Sequence, residues 1–264
     1  MAPSAHEIDY TIYGDDMQFV EIGLDPNEAI VSEAGAMMYM EPGIEMETQL
    51  GSGNESGFLG KLFSAGKRML TGESLFLTVF YNQGNKYARV ALAAPYPGKI
   101  IPMNLAEYGT MLCQKDSYLC SAKGTDIDIA FTKRFGAGLF GGEGFILQRL
   151  SGDGWAFAHA GGTVSEHELG PGEVLRVDTG CIVAFQERVD YDIQYVGKIK
   201  TALFGGEGLF FARLTGPGKV FLQSLPFSRL AGRIYKAAPQ TPGRRRGEGS
   251  ILGGIGSMLG GDRR

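Results

Sequence analysis

Of the 3 histidines in the 264-residue chain, His159 and His167 stand near acids in AHAGGTVSEHELG, where Glu166 and Glu168 flank His167. Imidazoles and carboxylates are common transition-metal ligands, so His159 and His167 are weak metal candidates. A cupin-type site would need His-x-His with further His and Glu on facing strands. The spacing lacks that pattern, and SEHE just before a PGE turn reads as a solvated loop, so no metal or other cofactor is assigned. His6 shows no partner in the sequence. Cys113, Cys120 and Cys181 lack CxxC spacing, and their odd number suits a reducing compartment better than a disulfide framework. Cys113 and Cys181 lie in apolar contexts, where a small buried side chain is the ordinary use. No catalytic set emerges.

A second chemical candidate is a corner that recurs. LFGGEG stands at Leu139 to Gly144 and again at Leu203 to Gly208, with a weaker LTGES at Leu70 to Ser74. The shared positions are Gly72 and Glu73, Gly142 and Glu143, and Gly206 and Glu207. Three converging carboxylates at about 6 Å would repel by about 3 kcal/mol per pair at an effective dielectric near 20, so a cation would have to sit among them. The alternative is architectural: glycine permits a bulge or a positive φ, and glutamate accepts backbone hydrogen bonds or pairs with the bases that precede each corner. Lys67, Arg68, Lys133, Arg134, Lys198 and Lys200 supply those bases, and the architectural reading is preferred. GAGLFG, Gly136 to Gly141, has GxGxxG spacing, but a strand-like FILQRL follows where a dinucleotide site needs a helix.

The elements that would carry these corners are short strands. Each Gly-Glu pair opens an apolar run, as in GESLFLTVF, GEGFILQRL and GEGLFFARL, which suits strands buried on both faces. A turn follows each run (NQGN, SGDG, TGPG), and then a return strand, so the pattern predicts three hairpins. IDYTIYGDDMQFVEI reads as a fourth, and Trp155 as a core residue. Proline turns at Pro26, Pro97 and Pro171, 71 and 74 residues apart, lead into further strands. The chain is therefore read as all-β, a barrel or sandwich of three pseudo-repeats (about 8–95, 96–168 and 169–228) within one domain, 1–236. With 41 glycines and 11 prolines, turn chemistry is abundant.

One amphipathic helix is expected, in the insertion GFLGKLFSAGKRML. Phe58, Leu59, Leu62, Phe63, Met69 and Leu70 share a face, with Lys61, Lys67 and Arg68 elsewhere. Such a helix would lie on an anionic membrane surface, on a sheet edge or in an oligomer interface. Residues 237–264 read as a flexible, basic, glycine-rich tail.

Charge separates along the chain. The net charge is −4, yet from Phe227 onward eight bases face two acids, so the remaining body carries −10. An acidic body disfavours nucleic acid. No leader-like segment and no apolar run of about 18 residues occurs, so the expectation is a soluble, cytoplasmic protein, peripheral to a membrane at most.

The GEGxxxxRL and GESLFL segments, the PGE turns and FLGKLFSAGKRMLTGES together resemble the altered-inheritance-of-mitochondria, number twenty-four, family, over about Ile8 to Leu225. That resemblance implies a fold similar to the tryptophan RNA-binding attenuation protein, with double-stranded β-helix-like units, and a link to membrane-associated assemblies in fungal members. It implies no catalytic residues. The expectation is a non-enzymatic, homo-oligomeric scaffold with unknown protein partners. A cupin-like enzyme and an RNA binder are the alternatives.

Overall fold

The computed structural model describes residues 4–50, 76–133, 145–195 and 210–238. The chain opens with β1 (Asp9–Tyr13), β2 (Phe19–Leu24), β3 (Ala29–Glu33), β4 (Met37–Met40), β5 (Ile44–Leu50), β6 (Phe76–Asn82) and β7 (Ala88–Ala93). A second series follows: β8 (Gly98–Asn104), a single helical turn α1 (Leu105–Tyr108), β9 (Met111–Gln114), β10 (Tyr118–Ala122), β11 (Asp126–Lys133), β12 (Phe145–Ser151) and β13 (Trp155–Gly161). The third comprises β14 (Val164–Leu169), β15 (Val174–Asp178), β16 (Ile182–Gln186), β17 (Asp190–Tyr195), β18 (Phe210–Thr215) and β19 (Gly218–Gln223), and α2 (Phe227–Ala237) ends the described chain. The protein is all-β, as its alternating apolar runs and turn residues dictate.

Four antiparallel sheets result, in the orders β1-β2-β7-β4, β5-β6-β3-β10-β13-β8, β11-β12-β9-β16-β19-β14 and β15-β18-β17. Two three-stranded patterns underlie them. With β1 set aside as an addition to the edge of the first sheet, each series has six strands: the first, third and sixth gather as β2-β7-β4, β8-β13-β10 and β14-β19-β16, and the second, fourth and fifth as β3-β6-β5, β9-β12-β11 and β15-β18-β17. Within a series every consecutive pair of strands but one thus crosses from one sheet to another, and among the described residues none of the sheets closes into a barrel. Series are joined where β10 pairs with β3 and β16 pairs with β9, both antiparallel.

This topology corrects the predicted hairpins. The turns NQGN, SGDG and TGPG do reverse the chain, but β6, β12 and β18 lie in different sheets from β7, β13 and β19. A tight turn is as compatible with crossing to a facing sheet as with pairing back. The sequential pairs that do form are β5 with β6, β11 with β12 and β17 with β18, and β1 pairs with β2 as expected. Pro97 also differs from its presumed counterparts. Pro26 and Pro171 lie between the first and second strands of their sets, β2–β3 and β14–β15, whereas Pro97 precedes β8.

Three apolar clusters fill the spaces between sheets. Ile22, Leu24, Ile30, Phe80, Val90, Leu92 and Phe157 belong to the first; Val31, Met103, Met111, Leu150 and Val183 to the second; Leu112, Leu147, Phe185, Leu214 and Val220 to the third. β13 shows why its sequence is nearly all apolar: Ala156, Ala158 and Ala160 enter the second cluster while Phe157 enters the first. A strand buried on both faces has no place for a polar alternation. Trp155 is half-buried at the rim of the first cluster, where Tyr10 meets it edge-on at 5.0 Å.

Candidate interaction surfaces

The structure separates the predicted metal ligands. His159, on β13 of the second sheet, is 2 % exposed, with the Tyr96 ring edge-on at 4.4 Å. Neither of its ring nitrogens makes a well-formed hydrogen bond, and burial pushes its pKa down to about 4 despite the opposing Tyr96 backbone. His167 lies on β14 of the third sheet, its Nε2 2.9 Å from the Ser165 hydroxyl. SEHE is therefore strand, not loop: its neighbours Glu166 and Glu168 pair with Lys219 and Arg188. Among the described residues no three His, Cys, Asp or Glu side chains gather as a metal site.

His6 does have a partner, accepting a hydrogen bond at Nδ1 from the Ala29 amide at 3.0 Å. Cys113 and Cys120 are buried free thiols and Cys181 is half-buried; burial holds the first two far from thiolate. The corners Gly72, Glu73, Gly142, Glu143, Gly206 and Glu207 lie outside the described residues, as do Phe58 to Leu70 and the tail beyond residue 238. The strands that flank the corners pair with each other in all three cases.

Two surfaces stand out instead. The first is β4, whose Met37, Met38, Tyr39 and Met40 are all exposed. Its counterparts β10 and β16 are buried at every residue, because β3 and β9 cover their outer edges. A bulge falls at the same place in all three strands, between Met37 and Tyr39, Tyr118 and Cys120, and Ile182 and Ala184. Beside β4, Arg89 bridges Glu21 at 3.6 Å and Glu41 at 3.3 Å. The Tyr39 hydroxyl donates to Glu21, which pushes its pKa up to about 12. These exposed pairs contribute little stability.

The second surface is α2. In FSRLAGRIYKA the apolar residues Phe227, Leu230, Ala231, Ile234 and Tyr235 follow the i, i+3, i+4, i+7, i+8 template, a helix beyond the one expected at 57–70 and masked in the sequence by the bases between them. Pro226 opens the helix, its carbonyl accepting from the amides of Arg229 and Leu230. Phe227 packs 5.2 Å from the Tyr96 ring, and Arg229 reaches Asp178 at 3.7 Å. Further along, Ile234 is 61 % and Tyr235 73 % exposed. No helix among the described residues is long and apolar enough to cross a membrane.

Known proteins share this architecture. The chain is 30 % identical over 227 residues to an uncharacterised protein of Streptococcus pyogenes, covering 84 % of this chain and 88 % of that one. A crystal structure of a Streptococcus pyogenes protein superposes with a TM-score of 0.70 at 24 % identity, covering 88 % of this chain and all of that one, which extends the likeness of fold. The model of the family described as "Mitochondrial biogenesis AIM24" matches residues 10–225. With sheets, core and most of the described residues inside that span, the chain belongs to the AIM24 family.

Proposed function

We propose that the protein is a non-catalytic β-scaffold that supports an assembly at an anionic membrane surface. The observation that carries this reading is α2, a helix whose apolar stripe ends in the largely exposed Ile234 and Tyr235 and whose sequence holds Arg229, Arg233 and Lys236 with no acid. The helix is already ordered by its attachment through Phe227 and Arg229, so surface binding does not carry the full cost of folding an isolated peptide. Burying Ile234 and Tyr235 would contribute about 1.5–3 kcal/mol each, and each base about 1 kcal/mol near anionic lipid. The sequence of residues 57–70 and the bases of the tail favour the same partner.

Flotation with vesicles tests this. The intact protein is expected to float with anionic vesicles and much less with neutral ones. Ile234→Glu with Tyr235→Glu, both exposed and so tolerated by the fold, should lower the bound fraction about tenfold or more by removing apolar burial and adding two repelled charges. Equal binding to neutral vesicles, or an undiminished double variant, would remove α2 from the contact. Failure of the intact protein to float at all would remove the membrane from the proposal.

A further inference from the structure

We propose that a second copy of this chain covers β4, by adding its own β15 to that edge as an antiparallel strand. This rests on the scaffold reading and names one of the scaffold's partners. The argument starts from the two junctions already present inside the molecule. At each, the third strand of a series pairs with the second strand of the preceding one: β10 with β3 and β16 with β9. Applying the same junction at the two ends leaves one strand of each kind unmatched. They are β4, at the end of the first sheet, and β15, at the end of the fourth.

The composition of β4 agrees. Exposed sheet edges are usually protected by charge, proline or bulges that discourage added strands. Other edge strands carry such residues: Glu45 and Glu47 on β5, Lys99 and Pro102 on β8, Asp126 and Asp128 on β11, Glu166 and Glu168 on β14, Asp190 and Asp192 on β17. β4 carries none. It is Met-Met-Tyr-Met, a sequence suited to the buried environment of β10 and β16, and it stands in solvent. On β15, Val174 and Arg176 are exposed, whereas β9 at the equivalent place is buried throughout.

The internal junctions also set the register. Cys120 faces Ser32 and Ser121 faces Val31; Ala184 faces Cys113 and Phe185 faces Leu112. Counting from the shared bulge, and from the equal spacing between second and third strands, places Tyr39 opposite Val177, Met40 opposite Arg176 and Glu41 opposite Leu175. A contact between two different strands is heterologous, so it propagates into a ring or a filament of copies.

Cysteine cross-linking tests the register, in a Cys181→Ser background so that the two buried thiols are the remaining native ones. Met40→Cys protein mixed with Arg176→Cys protein should form a disulfide-linked dimer under mild oxidation, at least about tenfold more than Met40→Cys mixed with Val174→Cys, which is two residues out of step. In sedimentation velocity the unmodified protein should self-associate as concentration rises, and Met40→Lys, at an exposed position, should weaken that association about tenfold or more while unfolding at the same temperature. A monomer at every concentration would overturn the proposal. So would cross-linking of Met40→Cys protein chiefly to itself, or a double variant joined within one chain, which would mean that β15 closes onto β4 of the same molecule. None of these outcomes depends on vesicle flotation, so membrane binding and copy pairing fail separately.

Discussion

Asn82→Ala should destabilise the protein by about 3 kcal/mol and lower its melting temperature by about 6–12 °C. Asn82 is fully buried at the end of β6, where the chain leaves the second sheet for the first. Its Nδ2 donates to the Leu24 carbonyl at 2.8 Å and the Lys86 carbonyl at 2.9 Å, while its Oδ1 accepts from the Gly84 amide at 2.9 Å. Its own backbone bonds both ways, to Glu28 and to Asn27. The side chain therefore ties the end of β2 to the crossing from β6 to β7, while the backbone of the same residue holds the turn after β2. Alanine would leave two carbonyls and an amide without their partner, the Leu24 carbonyl in a buried place and the other two groups in a partly buried one. Asn82→Asp should be at least as harmful at neutral pH, because a carboxylate would face two carbonyl oxygens. Urea unfolding measures both; wild-type stability in the alanine variant would show that water takes over these bonds.

The second large effect is one of pH. His159 is held neutral by burial, its pKa pushed down from an ordinary 6.5 to about 4. Above pH 6.5 neither folded nor unfolded chains protonate this group, and its contribution is constant. Between 6.5 and 4 the unfolded chain binds the proton and the folded chain does not, so folding loses about 2–3 kcal/mol as pH falls through that window. Below 4 both states are charged and the loss stops. Carboxylates titrate in the same range, so the informative quantity is the stability of wild type minus that of His159→Leu at each pH, from urea unfolding. It should fall by about 2–3 kcal/mol from pH 7 to 4.5. Parallel profiles would mean that a proton is accommodated at His159, by the Tyr96 backbone or by water.

How much of this could be read from residues alone divides along physical lines. Strand content was legible because apolar runs such as FILQRL and turns such as SGDG are local signals. Partner choice was not: the turn after β12 has the same chemistry whether β13 pairs back or crosses to the facing sheet. The double burial of FILQRL hinted at a multilayered arrangement without saying which strand lay beside it. Pro97 misled because proline marks a turn but not its place in a series. In α2 the stripe Phe227, Leu230, Ala231, Ile234, Tyr235 has helical spacing, but the bases interleaved with it give the same segment the look of a charged tail. His159 and His167 were judged from distance along the chain, which says nothing about sheets; once placed on β13 and β14 they serve packing and a surface network. The exposure of β4 was illegible for a deeper reason. MMYM reads as a buried strand, and whether an edge is covered depends on what lies beyond the end of the series.

The sharing of the second and third sheets between successive series governs how the molecule must come apart. In arrays that stack whole repeats side by side, a terminal unit can fray while its neighbours persist. Here the second sheet takes β5-β6-β3 from one series and β10-β13-β8 from the next, so removing either set uncovers an interior edge and opens two apolar clusters together. Partial melting has no stable stopping place. Thermal unfolding should follow a single transition with equal calorimetric and van't Hoff enthalpies, and it should be slow to reverse, since β3 and β10 must find each other across about 90 intervening residues before either is protected.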